Sequence, residues 1–204
     1  MQSILRAPHF THPRGAACDT IDFARIPFDE LEPGRCDPQA GRLLRVAFAL
    51  NWRSHLGIMK DLVTAFSIEE FIALVKRADE RRVWEYVDLP EKLLPYVLVL
   101  LADFTPDTAY RPNRIYGRFR PLTRWERFWV PERRQTLSDL WIRVPPIDYI
   151  VRGGFRLPND PTALPPVDDY DVDTFVFDAH FLERPAPITV DFMVTRVRDE
   201  LGFQ

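Results

Sequence analysis

The chain has 204 residues, 46% of them hydrophobic and 28% charged, with a formal net charge of −3. That balance supports one sizeable core and argues against global disorder. The longest uncharged apolar run, Leu93 to Ala102, is ten residues, half of the roughly 20 that a membrane-spanning helix needs.

Residues 1–40 hold five of the 19 prolines and little periodicity, and read as an extended arm beside a single domain over 41–204. The arm contains both cysteines, Cys18 and Cys36, too few for a disulfide framework. Residues 1–6 lack the apolar centre of a signal peptide, so a cytoplasmic location is expected. His9, His12, Cys18 and Cys36 are zinc-ligand types, but their spacing matches no standard finger.

Leu44, Val46, Phe48, Leu50 and Trp52 alternate with smaller or polar residues, a period of two that predicts a half-buried strand. No proline interrupts residues 39–89, leaving room for a short helix over 55–66. Ser67-Ile-Glu-Glu70 has the form of a capping box. Behind it Ile68, Phe71, Ile72, Val75 and Ala78 line one face of a helix ending near Arg82. The apolar stretch Tyr96–Leu101 predicts a buried strand, with helix the close alternative. Ile115–Arg120 alternates as a strand. Thr123-Arg-Trp-Glu126 suggests a second capping box, with Trp125, Phe128 and Trp129 on one helical face. Leu140–Val144 and Ile147–Arg152 read as strands, with Gly153-Gly154 as a hairpin turn. Val172–Phe177 reads as a strand. Thr189 is the expected cap of a last helix carrying Val190, Met193, Val194 and Val197, stopped at Gly202. Strands and helices without βαβ regularity predict one α+β domain, with a mostly antiparallel sheet and three to four helices.

Charge is unevenly spread. Arginines number 24, against only Lys60, Lys76 and Lys92. A GC-rich coding sequence accounts for that bias more simply than selection for carboxylate or phosphate partners. Residues 111–134 nevertheless hold eight arginines against Glu126 and Glu132, net +6, and residues 157–178 hold six aspartates and no base, net −6.

In the basic block, Arg114 precedes the expected strand, on which Tyr116, Arg118 and Arg120 share one face. Arg124, Trp125, Arg127 and Trp129 follow on the expected helix. A stacking ring beside cationic forks suits single-stranded nucleic acid, while the paired Trp residues suit a protein interface. In the acidic block, Asp171 and Asp173 share a strand face, and Asp178 and His180 follow. Such clustered hard ligands can hold a divalent cation. An exposed acidic loop that neutralises the arginines, or faces a basic partner, is the plainer reading.

His55 neighbours Ser54 and Asp61, but adjacency in sequence does not make a catalytic triad. The chain has no phosphate-binding Gly-rich loop, no dinucleotide fingerprint, no His-Glu-x-x-His and no Cys-x-x-Cys. The expectation is therefore a non-enzymatic adaptor or inhibitor, with no cofactor, that docks a protein or nucleoprotein partner. Its size suits a phage or mobile-element product. Single-stranded nucleic-acid binding through 111–134 is the first alternative, and a divalent-metal enzyme at Asp171, Asp173, Asp178 and His180 is the second.

Overall fold

A computed structural model describes residues 35–104, 124–130, 136, 138–142, 148–156 and 170–203. Within them lie six α-helices and one three-stranded antiparallel sheet, the mixed α+β class expected. The arm's first 34 residues fall outside the description, as does the expected strand at Ile115–Arg120.

The first element corrects the sequence reading. Pro38–Leu50 is a helix, α1, where alternation predicts a strand. The Asp37 carboxylate caps it, accepting from Gln39 N–H at 2.9 Å and Ala40 N–H at 3.1 Å, and Pro38 supplies a preset first turn. Leu44, Phe48 and Trp52 recur every four residues, which is also a helical period. Val46 and Leu50 produced the false period of two, yet both are exposed.

Helix α2, Trp52–Leu62, turns Trp52, His55, Leu56 and Met59 inward. Helix α3, Ile68–Glu80, begins with the predicted box: Glu70 N–H donates to Ser67 Oγ at 3.1 Å, and Ser67 N–H donates to Glu70 Oε2 at 2.8 Å. A short 3-10 turn, Val83–Glu85, packs on α1. A second, Glu91–Leu93, leads into helix α4, Leu94–Val99. This helix replaces the expected buried strand. All six of its residues are buried, and an element apolar on every side carries no periodicity to separate helix from strand.

Strand β1, Arg124–Trp129, replaces the expected Trp-bearing helix. Glu126, Phe128 and Val130 are buried and alternate with half-buried Arg127 and Trp129, a strand period disguised by a charged residue on the inner face. Asp139–Ile142 is a single helical turn, α5, rather than a strand. Strand β2, Tyr149–Arg156, runs straight through Gly153-Gly154, so the expected hairpin turn is absent there. Gly153 pairs with Arg127 and Val172, and Gly154 with Glu126 and Asp171. Strand β3, Tyr170–Val176, completes the order β1-β2-β3.

A 3-10 turn at Phe181–Glu183 precedes helix α6, Asp191–Leu201. Thr189 does not cap α6; its hydroxyl donates to the Pro187 carbonyl, and Val190 holds the cap position without a side-chain bond. Gly202 ends the helix as expected, in the left-handed conformation with φ 70°.

The core lies between the helices and the inner face of the sheet. Phe48 stacks near Phe71, with ring centroids 6.0 Å apart, and meets Trp84 at 5.0 Å. Phe104 meets Phe66 at 5.9 Å and Phe128 at 5.8 Å, both edge to face, and so joins helices to sheet. Helix α6 crosses α3, where Lys76 pairs with Glu200 at 2.7 Å. Phe203 inserts behind it against Phe48, with the Arg45 guanidinium 4.5 Å above its ring.

Candidate functional site

Arg114, Tyr116, Arg118 and Arg120 lie outside the described residues. Arg124 and Trp125 are placed on β1 by backbone pairing with Arg156 and Phe155. Arg127 sits three residues further along, and its guanidinium donates twice to Asp103, from Nε and Nη2, at 2.7 Å each. That bond pair occupies the Nε edge of the fork and neutralises much of its charge, which weakens its pull on a phosphate. Trp129 is half-buried at the end of the strand.

The acidic block is divided rather than gathered. Asp173, on the inner side of β3, receives the Arg152 guanidinium at 2.6 Å. Asp178 pairs with Arg184, and its own N–H donates to Tyr96 Oη at 2.7 Å. His180 N–H donates to Asp178 Oδ1, while its ring Nδ1 lies 3.0 Å from Glu183. Among the described residues no three of His, Cys, Asp or Glu converge as metal ligands. Cys36 is exposed, and its backbone forms an isolated antiparallel bridge with Tyr86.

Two buried polar groups escaped the sequence reading. The first joins the sheet to the end of α2. Glu126 is fully buried, and its Oε2 accepts from Thr64 N–H at 2.9 Å. Arg152 Nη1 lies 4.0 Å from Glu126 Oε1, donates to the Leu62 carbonyl at 2.7 Å and reaches Thr64 Oγ1 at 3.4 Å. Its plane covers the Phe175 ring at 5.0 Å. One arginine thus satisfies a carbonyl, two carboxylates and an aromatic face. Burial and pairing of this kind tie the sheet to the end of α2.

The second is His55, at 0% exposure. Its ring stacks on Phe48, with centroids 4.4 Å apart, and meets Phe181 edge-on at 5.2 Å. Nε2 lies 3.1 Å from Glu91 Oε1, which also accepts from Asn51 Nδ2 at 2.8 Å. Nδ1 is buried and has no hydrogen-bond partner among the described residues. Burial pushes the imidazole pKa below its ordinary value despite the neighbouring carboxylate. Burial also opposes charge on Glu91, yet hydrogen bonds from His55 and Asn51 hold its carboxyl below the usual range. Ser54 and Asp61 take no part in this arrangement. The signal was readable: His55 shares a helical face with Trp52, Leu56 and Met59, so its environment is the core.

Apolar side chains also project outward from ordered elements. Leu43, Val46 and Leu50 are 70%, 57% and 73% exposed and follow one line down α1. Helix α1 carries Arg42 and Arg45 and no acidic residue. Ile188 is fully exposed, and Val190 and Phe192 are more than half exposed. They follow Pro187, which rests on α2 so closely that a Cβ at Gly57 would come within 2.8 Å of it. Among the described residues no helix is long and apolar enough to cross a membrane. No protein-family model matches this sequence, and comparison with curated proteins and with solved structures finds no match.

Proposed function

We propose that the protein works by binding, as an adaptor or inhibitor that docks a macromolecular partner through apolar side chains on a basic helix. The carrying observation is the line Leu43, Val46 and Leu50 on α1. These are spaced i, i+3 and i+7, the pattern by which one helix seats another. Large apolar groups held on a regular element are what interfaces draw on; Asp79 holds Arg45 at 2.7 and 3.0 Å, so exposed Arg42 is the α1 charge that favours an acidic partner. The charged blocks support a smaller role than their sequence implies, because Arg127, Asp173 and Asp178 each have an intrachain partner.

The test is crosslinking of the tagged full chain in its native host, with mass spectrometry, beside the triple variant Leu43→Ser, Val46→Ser, Leu50→Ser. These side chains are exposed, so the variant keeps its circular dichroism and melting temperature. Loss of a reproducible partner supports the reading. An unchanged partner set from a well-folded variant refutes it. Salt-sensitive binding of labelled single-stranded oligonucleotides, unaffected by the triple variant, would move the assignment to nucleic acid.

A further inference from the structure

We propose that His55 is a proton-sensitive latch: the neutral imidazole holds the Phe181–Glu183 turn onto α2, and a proton on Nδ1 releases that turn. In the neutral ring, Nε2 donates to Glu91 and Nδ1 carries a lone pair. A second proton must go to Nδ1, which is buried without an acceptor. An N–H pressed into an aromatic enclosure is unfavourable until water reaches it.

Water enters where the wall is weakest. Phe48, on one side, sits within thirteen-residue α1 and is braced by Phe71, Trp84 and Phe203. Phe181, on the other side, sits on a three-residue turn whose neighbours His180 and Glu183 are exposed. Among the described residues, the turn is moored by the bond from Asp178 N–H to Tyr96 Oη, by Phe177 N–H donating to the Asp148 carbonyl at 2.6 Å just before it, and by Pro187 against Gly57.

The charged groups around the ring support this direction. Glu91, from the second 3-10 turn, faces Nε2, and Lys92 beside it is exposed. On α2 itself Arg53 lies over the Trp52 ring, and Lys60 and Asp61 are more than one turn further on. From the Phe181 turn, His180 pairs with Glu183 and Asp178 with Arg184. Release would swing the neighbouring Ile188 and Val190 away from α2 and alter the molecule's apolar surface with pH.

Hydrogen exchange of the full chain at pH 7.5 and 5.5, corrected for intrinsic rates, tests this. Amides of Asp178, Glu183 and Arg184 should lose at least tenfold protection at pH 5.5, while residues 68–80 keep theirs. His55→Phe should abolish the response, and His180→Gln should retain it. A response surviving in His55→Phe, lost in His180→Gln, absent in the wild type, or shared by residues 68–80 overturns the latch. Should His55→Phe fail to fold, imidazole NMR of the wild type decides: the His55 titration midpoint must coincide with the opening midpoint, and a mismatch refutes the proposal.

Discussion

Replacing Arg152 by Met tests what holds the sheet to the helices. Methionine keeps much of the side-chain length and its contact with Phe175 but removes every donor. The Leu62 carbonyl loses a 2.7 Å bond, and the fully buried Glu126 carboxyl loses the guanidinium 4.0 Å away. Asp173 is 46% exposed, so water compensates it and its share is about 0–1 kcal/mol. The cost therefore falls on Glu126 and Leu62, where stripping one partner from a buried pair is worth about 3–5 kcal/mol. At about 2–4 °C per kcal/mol for a chain of this size, the melting temperature should fall by roughly 6–20 °C. Urea unfolding followed by circular dichroism gives the free energy directly. The double variant Arg152→Met, Glu126→Met should recover about 2 kcal/mol or more of that loss, because the charge left stranded is removed as well. A single-variant cost below about 1 kcal/mol, or a double variant no better than the single, would refute the clamp.

Three further outcomes are expected. Gly41→Ala should destabilise by about 1–3 kcal/mol although alanine favours helices by about 1 kcal/mol, because its Cβ would meet Glu85 Cα at 2.9 Å and Glu85 N at 3.0 Å; urea midpoints give the sign. Ser67→Ala should cost about 0.5–2 kcal/mol by removing the α3 cap, read the same way. Stability should also narrow at both ends of a pH series. His55, with its folded pKa lowered by burial, contributes fully above about pH 6.5, and its contribution erodes as pH falls from there. Tyr96, pushed up to about 12 by burial, contributes fully below about pH 10 and loses about 2–3 kcal/mol between pH 10 and 12. Tyr96→Phe should flatten the alkaline limb, and His55→Phe the upper part of the acid limb.

What the sequence disclosed depended on whether local chemistry and burial agreed. At Ser67–Glu70 two side chains and two backbone amides close a self-contained motif, so the start of α3 was legible to the residue, while its end falls at Glu80 rather than near Arg82. The exit of α6 at Gly202 was legible for the same reason. α1 misled because Val46 and Leu50 face solvent, so hydrophobicity stopped reporting the buried face; the decisive signal was the polar pair Asp37-Pro38. β1 misled in the opposite sense, since Glu126 is charged and wholly buried, a placement that becomes sensible only with Thr64 and Arg152 beside it, 62 and 26 residues away. α4 was ambiguous in principle, being apolar on every side. Of the candidate binding residues, Arg127 was singled out for a free fork, but its partner Asp103 lies 24 residues upstream and follows from pairing no local rule describes. The exposed line on α1 was hidden inside the run mistaken for a strand.

The seat of Phe203 against Phe48 has a consequence for biosynthesis. Roughly 150 residues separate the two rings, so at about 5–20 residues per second a ribosome needs roughly 8 to 30 s to deliver the second after the first. For that interval Phe48 has Phe71 and Trp84 available as neighbours but not the ring that covers its last side, so the helical core is completed only when the C-terminus arrives.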